Sequence, residues 1–199
     1  MSAYDDLMAF QRETEALSQV AGRLGWDQET MMPRDAAPQR GEEMAAMETV
    51  LHARRIDPRI ADWLAQAETS GEVEVAQVRQ IKRSYDRASK VPAKLASQIA
   101  RVTSEAQGAW AAAREADDFA AFAPVLKDVV SLKREEGAAL SAGGDVYDAM
   151  LDDYEPGATA AELSAMFDAL RPRLVNLRAA VLDAKAPPAL QGKFDEGAQ

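Results

Sequence analysis

Apolar residues in this chain recur every three or four positions, and no alternating β-branched run bounded by turn residues is present. Leu7, Phe10, Leu17, Val20 and Leu24 keep the helical spacing over about five turns, which predicts an amphipathic first helix. Ser2 and Asp5 form a capping box ahead of it, in which a hydroxyl and a carboxylate satisfy orphan N–H groups. The helix is expected to end near Met31, before Pro33. A second helix follows from about Ala36 to Arg54, with Pro38 in its first turn and Met44, Met47, Val50 and Leu51 on its buried face. Asp57-Pro58 starts a third, where Asp caps and Pro takes the first helical position. It carries Ile60, Trp63 and Leu64 and is expected to stop near Ser70-Gly71. A fourth, from about Glu72 to Ala88, is expected to bury Val75, Val78, Ile81 and Tyr85.

Pro92 opens a fifth helix carrying Leu95, Ile99, Val102, Ala106 and Trp110. Asp117-Asp118 caps a short turn holding Phe119 and Phe122, and Pro124 predicts that the main sixth helix begins only there. That helix carries Leu126, Val129, Leu132 and Leu140 and ends at Gly143-Gly144. A short helix from Val146 to Leu151 leads into a turn at Tyr154-Glu155-Pro156-Gly157. Thr159 and Glu162 form a second capping box. Its helix runs through Leu163, Phe167, Leu170, Leu174, Leu177 and Val181 and is expected to end at Pro187-Pro188. The pattern predicts an all-α fold of seven or eight helices in antiparallel hairpins, without a sheet. One helical domain is expected over 1–189, with a polar tail over 190–199. No fixed-period repeat suggests a solenoid.

Composition narrows the chemistry sharply. The 199 residues include no cysteine and one histidine, His52. A disulfide framework, a thiol nucleophile and a cysteine zinc site are therefore excluded, and a two-histidine zinc site cannot be built from one chain. Lys+Arg is 23 against 33 Asp+Glu, a formal charge of −10, which disfavours nucleic acid and anionic membrane surfaces alike. No apolar run approaches the ~20 residues of a membrane span, and the acidic start, with Asp5 and Asp6, lacks the pattern of a signal peptide. A cytoplasmic protein is the expectation.

His52, near a helix end, reads most simply as a polar group at a helix C-terminus rather than as a ligand or base. Trp26-Asp27-Gln28-Glu29-Thr30 is the most unusual local string. Asp27 and Glu29 stand two apart and point to different sides of a helix, so they cannot share one small site. The string reads either as a polar cluster lining a cleft or, the simpler case, as an aromatic core anchor beside a satisfied carboxylate. In the anchor reading, Trp26→Ala costs ~3–5 kcal/mol. Asp152-Asp153-Tyr154-Glu155 lacks the alternation of a calcium loop and reads as a solvated turn.

Several strings taken together resemble the carboxypeptidase Taq family of zinc metallocarboxypeptidases. They are Leu24 to Pro33, Arg40 through Met44 to His52, Val91 to Leu95, Ala106 to Trp110, Asp117 to Val130, and Tyr147-Asp148-Ala149-Met150-Leu151-Asp152-Asp153-Tyr154-Glu155-Pro156-Gly157 followed by Leu170-Arg171-Pro172. Their order and spacing match across essentially the whole chain. The resemblance implies an all-helical enzyme that removes C-terminal residues from peptides, with one zinc held by a His-Glu-x-x-His helix and a later glutamate.

No His-Glu-x-x-His stands in this sequence, so no catalytic or metal residue carries over to any position in it. The chain then reads as the N-terminal portion of such an enzyme, inactive alone, with the zinc belonging to the full-length form. Its expected partners are the missing C-terminal catalytic portion and, through it, a peptide substrate. Apolar area left open is expected to favour self-association, with a homodimer as the simplest form. In this reading Trp26, Asp27, Gln28, Glu29, Thr30, His52, Tyr147, Asp148, Tyr154, Glu155, Pro156 and Gly157 are structural or groove-facing. The alternative is a free-standing helical interaction or regulatory protein that keeps the family fold.

Overall fold

The computed structural model describes residues 2–186 together with Gly192 and Gly197. Among these the regular elements are all helical: α1 (Ala3–Thr30), a 3-10 turn (Arg34–Ala36), α2 (Ala37–Arg55), α3 (Pro58–Gln66), α4 (Glu72–Ala88), α5 (Ala93–Glu115), α6 (Phe119–Ser141), α7 (Val146–Leu151) and α8 (Ala160–Asp183). The all-α expectation holds. No described helix is long and apolar enough to cross a membrane. The chain divides into two compact units, Met1–Met150 and Leu151–Gln199.

In the first unit the capping signals act as the sequence predicts. Ser2 Oγ accepts from the Asp5 N–H, and the Asp5 carboxylate accepts from the Ser2 N–H. Those bonds to Ser2 hold the Asp5 carboxyl below its ordinary range. Asp57 accepts from the Arg59 N–H at the start of α3. Leu7 and Phe10 of α1 pack on Ile60 of α3, and Trp63, Leu64, Ile81 and Tyr85 close around them. That cluster ties α1, α3 and α4 together. Helix α2 packs most extensively on α5, and α5 in turn on α6.

Small residues permit these approaches. A Cβ on Gly41 of α2 would lie 2.9 Å from Glu105 Oε1 of α5. A Cβ on Gly137 of α6 would lie 2.7 Å from Val146 Cγ1 and 2.9 Å from Met150 Sδ, so only glycine lets α7 lie against α6 at this distance.

Four sequence expectations are corrected. Helix α6 is continuous from Phe119, with Pro124 inside it. Asp118 caps it by accepting from the Ala121 N–H, and Pro124 stands barely past the first turn, where it removes a single backbone bond. Its end uses left-handed backbone at Ala142 (φ 48°) and Gly143 (φ 92°).

Helix α3 stops at Gln66, short of Ser70. Ser70 serves the next helix instead, since its N–H and Oγ both donate to Glu74. Val50 and Val75, expected to be buried, are exposed, and so is Trp110 of α5. Val50 directly precedes the buried Leu51 and so points about 100° away from it.

In the second unit, Thr159 and Glu162 make the predicted capping box. These bonds to Thr159 hold the Glu162 carboxyl below its usual range. Helix α8 ends at Asp183, where Ala184 turns to extended backbone (ψ 154°). Pro187 and Pro188 lie outside the described residues, as does most of 190–199. Pro172 lies within the helix, and α8 buries none of its residues.

Candidate functional site

The tryptophan string occupies the last turn of α1, and its residues divide by direction. The Asp27 carboxylate receives Arg40 Nη2 of α2 at 2.5 Å. The same guanidinium donates through Nη1 to the Leu24 carbonyl and through Nε to Glu43 Oε2 at 2.9 Å. Arg40 is buried, with its side chain 9% exposed. The hydrogen bond that it donates to the Asp27 carboxylate raises its pKa above the ordinary range, against the opposing effect of burial. Gln28 faces α5 and makes a reciprocal pair there. Its Nε2 donates to the Ser104 carbonyl at 3.0 Å, and Ser104 Oγ donates to Gln28 Oε1 at 2.6 Å. Two adjacent side chains thus pin one helix end to two different neighbours.

Trp26, Glu29 and Thr30 turn the other way. Trp26 is 63% exposed, so the core-anchor reading is wrong. Sixteen steps of about 100° place it about 160° around α1 from Phe10, away from the packed stripe. Thr30 Oγ1 donates back to the Trp26 carbonyl at 2.7 Å, a local bond within the helix. Trp26→Ala is accordingly expected to change unfolding free energy by less than about 1 kcal/mol, measured by urea titration.

His52 does sit in the last turn of α2, yet its ring is buried, at 3% residue exposure. Nε2 donates to the Val91 carbonyl at 2.7 Å, so the ring ties α2 to the connection between α4 and α5. Nδ1 is buried without a hydrogen-bond partner. The ring borders a cavity of about 210 Å³, lined also by Glu48, Arg55, Ile99 and Glu136. Arg55 Nη1 lies 3.0 Å from Glu48 Oε1 there. Lys133 binds Glu136.

The second string is described in two parts. In the first unit Tyr147 is 67% exposed, and the Asp148 N–H donates to Asp145 Oδ1 at the start of α7. In the second, Tyr154 is 83% exposed, and Glu155 and Pro156 are exposed as well. The Glu155 N–H donates to the Leu151 carbonyl. The Gly157 N–H donates to Asp152 Oδ1, with Gly157 at φ 82°. A left-handed residue is needed at that point, and glycine supplies it without steric penalty.

Among the described residues, no group of three or more His, Cys, Asp or Glu side chains is placed to hold a metal ion. The only imidazole spends Nε2 on a carbonyl. Asp27, Glu48 and Glu136 are each engaged by a cation. The residues present do not fit the metal.

Sequence reasoning gave Arg40 and Ser104 no role, although they complete both pins. The available signal for Arg40 was its spacing, four residues before Met44 on an otherwise apolar stripe.

A family model described as Carboxypeptidase Taq (M32) metallopeptidase matches residues 6–199. The thermostable carboxypeptidase 1 of Thermus thermophilus is 38% identical over 94% of this chain and 40% of its own length. A Pyrococcus furiosus carboxypeptidase structure matches 92% of this chain and 37% of its own, with TM-score 0.73 and 27% identity. The BsuCP crystal structure, at 21% identity, shares the fold with TM-score 0.82 over 91% of this chain and 37% of its own. The chain spans about two fifths of the length of the curated relatives it matches. Helical architecture, motif order and a match over residues 6–199 together make the chain a member of the carboxypeptidase Taq (M32) metallopeptidase family.

Proposed function

We propose that this chain is the N-terminal helical portion of a zinc-dependent metallocarboxypeptidase fold. In this reading it supplies a wall of the groove that admits a peptide C-terminus, and the hydrolytic metal is held by residues outside it. One observation carries the proposal: 94% of this chain accounts for 40% of the Thermus relative. The donor set agrees, since one engaged imidazole and no cysteine cannot form a hydrolytic zinc site.

The motif residues take two roles. Asp27, Gln28 and His52 hold helices in register through Arg40, Ser104 and the Val91 carbonyl. Trp26, Glu29, Tyr147 and Tyr154 are exposed and available to face the rest of the fold or the groove. Thr30, Asp148, Glu155, Pro156 and Gly157 shape the helix end and turns that present them.

The test is direct. Purified chain 1–199, incubated with a zinc salt and a short peptide, is expected to release no C-terminal residue. After dialysis it is expected to retain no stoichiometric zinc by elemental analysis. Trimming that a chelator abolishes would overturn the reading.

A second reading, a helical interaction protein that keeps the family fold, draws on the exposed apolar residues of α8. The natural gene separates the two readings. A frame running on into His-Glu-x-x-His supports the first, and a stop after Gln199 supports the second.

A further inference from the structure

Helices α5 and α6 of the first unit meet at an aromatic slot that the functional reading does not use. Trp110 lies one turn before Arg114 on α5, and Phe119 and Phe122 share one face of α6 at its start. The reversal between the helices is tight, since the Asp117 N–H donates to the Arg114 carbonyl and the Asp118 N–H to the Ala113 carbonyl. Side chains on both sides of it border a cavity of about 240 Å³. A cavity of about 150 Å³ admits benzene, so this one has room for a six-carbon side chain. Among the described residues, ring stacking and cation contacts gather at Phe10 and Trp63, and the three rings of the slot take part in neither. Their faces are open to a ligand: Trp110 is 51% exposed and Phe119 70%.

Both signs of charge stand at the mouth. Arg114 Nη1 lies 4.0 Å from Asp117 Oδ1, the outer limit of an ion pair, and both side chains are largely exposed. A pair of this kind is worth little in water and yields to a better partner. Asp118 commits Oδ1 to the Ala121 N–H, which leaves Oδ2 for a ligand. Asp117 holds left-handed backbone (φ 52°), where glycine is the less strained choice, so its carboxylate stands there at a conformational cost.

We propose that the slot binds a free α-amino acid with an apolar side chain. The side chain enters between the rings, Arg114 donates to the α-carboxylate, and the Asp117 and Asp118 carboxylates accept from the α-ammonium. An anion alone would meet two carboxylates and a cation alone would meet the guanidinium, whereas a zwitterion matches both. This assignment rests on the slot and not on the functional reading above.

The experiment titrates L-phenylalanine into the chain and follows its three tryptophan indole signals in nitrogen-15 spectra, with Trp110→Phe identifying the one from the slot. That signal is expected to move, with half-saturation at about 1 mM. N-acetyl-L-phenylalaninamide keeps the side chain and carries neither charge, phenethylamine keeps only the ammonium, and 3-phenylpropanoate keeps only the carboxylate. Each is expected to bind about tenfold more weakly or worse. Arg114→Gln and Asp117→Asn are each expected to weaken L-phenylalanine about tenfold, and asparagine tolerates the left-handed backbone.

A Trp110 signal that stays in place at 20-fold the expected half-saturation, about 20 mM, overturns the proposal. So does equal binding of phenylalanine and its uncharged amide, which would make the slot a general apolar pocket, or equal binding of phenethylamine, which would make it a cation site. The ligand series on the unaltered chain decides the matter even if a variant loses its helical circular dichroism.

Discussion

Phe10→Ala is expected to destabilise the first unit by about 4–5 kcal/mol, the largest effect of any single substitution considered. The ring is 7% exposed and packs between Leu7, Ile60 and Trp63, the last at 5.5 Å between ring centroids and tilted 54°. Removing it opens a cavity among side chains from three helices that cannot all collapse inward. It also removes the seat of two cations. The Arg54 guanidinium lies 4.0 Å from the ring centroid and that of Arg59 4.9 Å. Arg54 additionally donates to the Phe10 carbonyl and to Thr14 Oγ1, so its stacked position is already fixed by hydrogen bonds. Urea unfolding followed by circular dichroism reads the loss as a lowered midpoint at constant slope. Phe10→Leu, which keeps most of the volume, is expected to recover more than half of it. A loss below about 2 kcal/mol for the alanine variant would show that this cluster does not govern the stability of α1, α3 and α4.

Arg40→Ala is expected to cost about 2–3 kcal/mol. Fully buried ion pairs lose more when one partner is removed. Here the Asp27 and Glu43 side chains are each 40% exposed, so water rehydrates them once the guanidinium is gone. What remains is lost packing of the arginine stem and the loss of its bond to the Leu24 carbonyl. Asp27→Asn, which still accepts a hydrogen bond, is expected to cost about half as much. A double-mutant cycle between Asp27 and Arg40 should give a coupling of about 1 kcal/mol or more. Coupling near zero would mean that this ion pair does not hold the α1–α2 register.

The two losses differ in how visible they were beforehand. Phe10 lies on a periodic stripe, and Ser2, Asp57, Thr159 and Glu162 are local signals read from neighbours in the chain. Local physics made them legible. Arg40 and Asp27 are thirteen residues apart and Gln28 and Ser104 seventy-six apart, so their pairing follows from how helices pack. Periodicity also fails to say which of two faces wins when both carry apolar residues. Trp26 and Val50 are large and apolar yet lie off the packed stripes. Pro124 was overvalued as a breaker, because a capped first turn and a continuing apolar face outweigh one missing hydrogen bond. At the motif strings, the role of each residue depends on its direction, which only packing decides.

The solitary imidazole has a practical consequence. With one histidine in the sequence, every imidazole signal in a nitrogen-15 spectrum belongs to residue 52 without assignment work. Its proton sits on Nε2, held by a carbonyl nearly forty residues further along the chain. Loosening of α2 from the α4–α5 connection would free that proton to exchange with water. The molecule thus contains its own spectroscopic gauge of whether its central helices stay closed.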